Sequence, residues 1–351
     1  MSLRKERLFY LDFLRSISIF MIIVFHFNQQ LGFHAIQSEG IFIQNFKNDN
    51  IGSIGITLFI ILSGASLMYS YRNSFSLKQY IFKRILSIFP LFWIGYICTY
   101  FVLFFLNRGV HHDVETWKIS LTIVGFDGFL YYKVPNFYLV GEWFIGFILI
   151  MYTIFPVLRL LVLKKPVVTI FLVLTSYIII VQNYGSIFNI DVIHNPLTRL
   201  PDMVLGMLYV EYSEKIKKQF YLVPAVLTGL VLLTIKVSLT HIYVTFLLGS
   251  SLFITLAHLM KFVKNNNLQK PFIFMSKYSF AAFIIHHNLI GQLFVRYDTM
   301  ILSTVETYAL FFLVTIIIFW LSVHLVRISN KVSGIINDSK IGVRMNRKIS
   351  L

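Results

Sequence analysis

The first hydrophobic stretch of the chain carries Arg7, Asp12 and Arg15 at one end and, eleven positions after Arg15, a lone imidazole, His26. No charged residue lies between Arg15 and His26. Ionisable groups at membrane depth are costly unless they face a partner or a wet cavity, so each is a functional candidate. A neutral imidazole, with an ordinary pKa of about 6.5, can take a proton from a hydroxyl near pH 7. The competing reading is snorkelling by Arg7 and Arg15 beside a packed histidine.

Other buried polar groups fall at matching depths. With a rise of about 1.5 Å per residue, His26 stands roughly 20 Å above the inner edge of its segment. His286, Glu142, Arg199 and Asp202 can reach the same outer layer. Asp12, Arg15, Lys83 and Arg84 make a second layer at the opposite face. Two such layers suggest a site open to both sides, although separate interhelical hydrogen bonds would also place polar groups there. Glu142 beside Trp143 also reads as an interface anchor, and His287 reads as a packing residue.

The sequence has no Walker loop, no His-Glu-x-x-His zinc motif and no Gly-x-Ser-x-Gly elbow. His286 and His287 are adjacent, so on a helix their rings diverge by about 100° and share a metal poorly. His111 and His112, with Asp113 and Glu115, form at most a weak loop metal site. Ser63-Gly64 is a small-residue pair of the kind that lets helices approach closely, and no base is assigned beside Ser63 as a nucleophile. No metal and no permanently bound cofactor are expected.

The elements that must hold these groups are membrane helices. Of 351 residues 57% are hydrophobic and 13% charged, with a mean hydropathy of +0.75. That is about half the charge of a soluble protein. A span needs about 20 largely apolar residues. Ten stretches qualify: 13–31, 52–71, 85–106, 138–163, 167–183, 199–212, 220–236, 241–260, 272–295 and 306–327. The sixth is short and sets Arg199 in the outer interface. The stretch 119–131, broken by Gly125, Asp127 and Gly128, reads as interfacial or re-entrant. The predicted fold is all-α, a polytopic bundle of about ten transmembrane helices. No small-residue cleavage site follows Arg4, Lys5 and Arg7, so the first segment reads as an uncleaved span. The single Cys98 excludes an intramolecular disulfide.

Charge sets the orientation. With the N-terminus inside, the inner segments hold 22 Lys and Arg and the outer ones 7; Arg15 and Lys277 complete the 31. This asymmetry predicts both termini in the cytoplasm. The net charge of +16 is then mostly topology. Anionic membrane lipids explain the basic tail better than nucleic acid does, so no nucleic-acid partner is expected. Residues 1–330 read as one membrane domain and 331–351 as a basic cytoplasmic tail. Neither a fixed-spacing repeat nor a matched pair of broken helices supports an inverted-repeat transporter.

Six pieces, in order, resemble the membrane acyltransferase 3 family between about Arg7 and Ile290. They are Arg7-x-x-x-Leu11-Asp12-x-x-Arg15 with His26; Gly55-Ile-Thr-Leu-Phe59-Ile-Ile-Leu62-Ser63-Gly64; and Lys83-Arg84-Ile-Leu-Ser-Ile-Phe-Pro90. Trp143 to Tyr152 with Pro156, Arg199 to Gly206, and Ser279-Phe-Ala-Ala-Phe-Ile-Ile-His286 complete the set. Two positions depart from the family pattern. Ser87 stands where a second Arg often precedes the Pro, and Ile148 where many members have Glu.

The resemblance implies a ten-helix enzyme that moves an acyl group, expected to be acetyl, from cytoplasmic acyl-CoA to a hydroxyl of a surface polysaccharide or its lipid-linked precursor. It implies the plasma membrane of a bacterium. Arg15, Lys83 and Arg84, with Asp12 and Ser63 nearby, would hold the phosphate-bearing donor. His26 would be the base, and Arg199 or another donor would stabilise the oxyanion, with His286 and Glu142 as further catalytic candidates. A carrier or exporter of a glycan or lipid-linked sugar is the alternative.

Overall fold

The structure, a computed structural model, describes residues 7–106, 114–141, 143–297 and 299–338. Glu142, the His111-His112 loop and the basic tail from Lys340 onward lie outside the described residues. The described residues contain helices and turns, with two isolated bridges and no strand. In chain order the helices are α1 (Phe9–Phe33), α2 (Ile51–Tyr71), α3 (Leu77–Leu106), α4 (Ile119–Ile123), α5 (Asp127–Leu130), α6 (Phe144–Lys164), α7 (Pro166–Gln182), α8 (Tyr184–Ile187), α9 (Leu200–Tyr212), α10 (Gln219–Thr234), α11 (His241–Met260), α12 (Asn266–Phe294) and α13 (Thr304–Asp338).

Each of the ten expected stretches folds as a helix of 13 or more residues, but among the described residues six helices are both long and apolar enough to cross a membrane. These are α1, α2, α3, α6, α11 and α13. The other four depart for different reasons. Helices α7 and α10 have 17 and 16 residues. The 13 residues of α9 span roughly 20 Å, short of a hydrocarbon core of about 30 Å. Helix α12 is long, but Lys270, Lys277, His286, His287 and five Asn or Gln residues keep its hydropathy low. The protein is a multi-pass membrane protein with α1 near the centre of its bundle.

Helix α1 packs between α2 and α12, and α2 makes its broadest contact with α9. Two glycines make that contact possible. A Cβ on Gly64 would sit 2.1 Å from the Met203 carbonyl oxygen, and one on Gly206 would sit 1.9 Å from that of Ile61. The backbones of α2 and α9 therefore touch where the small-residue pair predicted a close approach. Helix α2 starts where the Asn50 side chain accepts from the Ser53 backbone N–H at 2.9 Å. At its other end Arg159 donates to the carbonyls of Tyr71 and Arg72, at 2.7 and 3.1 Å. That guanidinium serves as a C-terminal cap.

Helices α3 and α13 flank α12 and turn Ile97, Phe101, Phe312 and Ile316 outward, as lipid-facing sides do. The 119–131 stretch is broken at Gly125, whose φ of +76° only glycine adopts easily, into α4 and α5. It packs over α3 and α6: Trp93 Nε1 donates to the Ile123 carbonyl at 3.0 Å, and a Cβ on Gly146 would meet the Phe129 side chain.

Candidate active site

Two cavities lie one above the other along the bundle. Helices α1, α2 and α12 line both, at levels eleven residues apart on α1 (Arg15, His26) and on α12 (Ser276, His287). Eleven residues are close to three full turns, so each pair shares a helix face about 16 Å apart. Antiparallel α2 contributes Ser66 to the first level and Ser53 to the second.

The first cavity, about 420 Å³, is organised by hydroxyls and guanidinium groups. Arg15 donates to Ser66 Oγ at 2.8 Å and to Ser276 Oγ at 3.4 Å. Ser276 donates in turn to Asp12 Oδ1 at 2.7 Å. Asp12 receives both Nε and Nη2 of Arg7, at 2.5 and 3.1 Å, and so bonds Arg7 directly and Arg15 only through Ser276. A bidentate Arg–carboxylate clamp of this kind fixes geometry as well as charge.

Arg84 reaches the same cavity from α3, its guanidinium 5.7 Å from the Tyr152 ring centre, and its buried Nε has no hydrogen-bond partner. Ser63 lines the wall and donates to the Phe59 carbonyl at 2.9 Å. Lys83 is exposed and does not line the cavity, whereas Lys277 does. Ser87 and Ile148, the two departures from the expected pattern, both face this space.

The second cavity, about 460 Å³, is lined by His26, His194, His241 and His287. The ring of His26 lies 5.0 Å from that of His286 and 5.0 Å from that of His287, while the last two are 6.3 Å apart. The adjacent pair does diverge, but both members meet His26. His26 Nδ1 is 3.2 Å from Gln29 Oε1. As a donor to that oxygen, Nδ1 keeps the proton, and Nε2 is the basic nitrogen. His286 is fully buried, with Nδ1 donating to the Phe283 carbonyl at 2.8 Å.

Two further histidines escaped the sequence reading. His241 Nε2 pairs with the buried Asp49 Oδ1 at 2.9 Å, a contact 192 residues apart in the chain. His194 stacks on Trp143 with ring centres 4.0 Å apart. His241 opens α11 and His194 precedes α9, both at the level of the second cavity, and no local spacing marked them.

Arg199 does not reach either cavity. It is fully buried, 2.9 Å from Asp202 and 2.5 Å from Thr57 Oγ1 of α2. Thr57 donates in turn to the Ser53 carbonyl one turn earlier on α2. Among the described residues no group of three or more His, Cys, Asp or Glu side chains is arranged to hold a metal ion.

A family model for an acyltransferase domain matches residues 8–324, nearly the whole chain. The protein belongs to the acyltransferase 3 family. Comparison with curated proteins and with solved structures gives no match. The family domain extends from the residue after Arg7 into α13, so both cavities of this membrane acyltransferase, and every helix that lines them, fall within it.

Proposed function

We propose that this acyltransferase moves an acyl group, acetyl in the first instance, from cytoplasmic acyl-CoA to a hydroxyl of a cell-surface polysaccharide or its lipid-linked precursor, in a bacterial plasma membrane. The observation that carries the reading is the stacking of an arginine- and serine-lined cavity beneath a histidine-lined one. Acyl-CoA brings several phosphate charges, and Arg15 and Arg84 supply permanently charged donors for them. Ten crossings with both termini inside would set this cavity on the cytoplasmic side, in keeping with the excess of basic residues there.

In the outer cavity His26 Nε2 takes the proton of the acceptor hydroxyl as its oxygen attacks the thioester carbonyl carbon. The tetrahedral intermediate collapses with cleavage of the C–S bond. An ester forms, and the CoA sulfur leaves with the proton returned from His26. Arg199 lines neither cavity, and His241 held by Asp49 is the donor on the cavity wall suited to the oxyanion.

Mass spectrometry of surface glycans from cells with and without the protein tests the reading. Loss of one acyl mass per modified residue is expected in its absence. Unchanged glycan acylation would refute it. A glycan that fails to reach the surface at all would favour a carrier. A His26→Gln protein that leaves glycan export intact but removes the ester would separate the two.

A further inference from the structure

Two residues, Phe144 of α6 and Phe283 of α12, line both cavities. Both are buried, and their ring centres are 5.3 Å apart at an interplanar angle of 57°. Phe144 packs on Phe59 at 6.4 Å and on Phe147 at 5.6 Å, and Phe283 lies 5.6 Å from His286. The first cavity also holds Arg15, Arg84 and serines, and the second His26, Asn50 and Ser53. Their shared wall is aromatic.

We infer that Phe144 and Phe283 form a partition between the two half-sites. Closed, it keeps water and ions of one compartment out of the other and shields a thioester in the lower cavity from hydrolysis. The acyl group must pass between these rings to reach His26, so the pair also determines which acyl groups are accepted. The inference rests on the two-cavity reading proposed above, but its test needs no turnover.

The experiment is cysteine labelling with a membrane-impermeant charged methanethiosulfonate in a Cys98→Ser background. Ser63→Cys reports on the lower cavity and Ser53→Cys on the upper. Reagent applied from the His26 side should modify Ser53→Cys readily and Ser63→Cys hardly at all. Adding Phe283→Ala should speed modification of Ser63→Cys from that side at least tenfold, with Phe144→Ala acting likewise and Phe283→Trp having no such effect. Modification of Ser63→Cys from the Arg15 side should be unchanged in each variant, which shows that the lower cavity is intact.

Where Phe283→Ala does not insert stably, Phe283→Leu serves with a smaller expected rise. Equal rates at Ser63→Cys from the His26 side with and without the substitutions, while Ser53→Cys is modified from that side, would overturn the partition. Failure to modify Ser53→Cys from that side would refute the two-cavity reading itself. Wild-type protein that partitions the cavities yet uses no acyl-CoA would refute the proposed reaction and leave the partition standing.

Discussion

The imidazoles of His26 and His286 lie 5.0 Å apart, although 260 positions separate them in the chain. The contact joins α1 to α12 at the level of the upper cavity, and it differentiates the two rings. His286 is fully buried, its Nδ1 spent on the Phe283 carbonyl, whereas His26 is half-buried and faces the cavity. Of the two, His26 has the access a general base needs.

If His26 is that base, His26→Ala should lower acyl transfer by about 10²–10⁴-fold with the protein still inserted. His26→Gln keeps hydrogen-bonding capacity but cannot accept the proton, so it should be nearly as inactive. The measurement is ester formed per amount of variant in the membrane. A well-expressed His26→Gln protein with near-normal acylation would move the base to another histidine of the cavity.

Substitutions at the lower cavity should act on the donor. Arg84→Ala removes a guanidinium whose Nε is buried and unpartnered, and should raise the KM for acyl-CoA more than it lowers kcat. Arg84→Lys retains charge without the fork, so partial recovery would mean that charge alone matters. Lys83→Ala, exposed and off the cavity wall, should stay close to wild type in the same assay. Equal effects at Lys83 and Arg84 would argue against this cavity as the donor site.

Arg199 and Asp202 should behave as a structural pair. Both side chains are buried, at 0% and 1% exposure, so Arg199→Ala leaves a carboxylate without its cation at a cost of about 3–5 kcal/mol. The expected result is loss of folded protein from the membrane. Joint replacement, Arg199→Met with Asp202→Leu, should recover much of the yield and of the activity, because neither residue lines a cavity. A well-folded Arg199→Met, Asp202→Leu protein without activity would return Arg199 to the chemistry.

Asp127 gives a pH dependence. Burial raises its pKa from about 4 to about 7. The folded state therefore binds this proton more tightly than the unfolded state does, so stability contributed by the protonated form is present below about pH 4 and is lost as pH rises to about 7. Asp127→Asn should raise thermal stability more at pH 8 than at pH 5. Equal gains at the two values would contradict the shifted titration.

Composition, hydropathy and the six ordered motifs were enough to determine a helical membrane protein of this family. Such properties depend on local transfer energies and on residues close together in the chain. The same holds for the Gly64 approach, for Arg15 and Arg84 sharing a level, and for His26 as the imidazole of α1. Depth along a helix follows from counting residues. Direction around a helix axis and the identity of the neighbour do not, because they are set by how α1, α2, α9 and α12 pack. Only the tertiary structure buried Arg199 against Asp202 and Thr57, turned Lys83 outward, brought His241 to Asp49, and joined Phe144 to Phe283 between the cavities. Packing between helices far apart in sequence decides which polar groups share a space, and no local pattern encodes that choice.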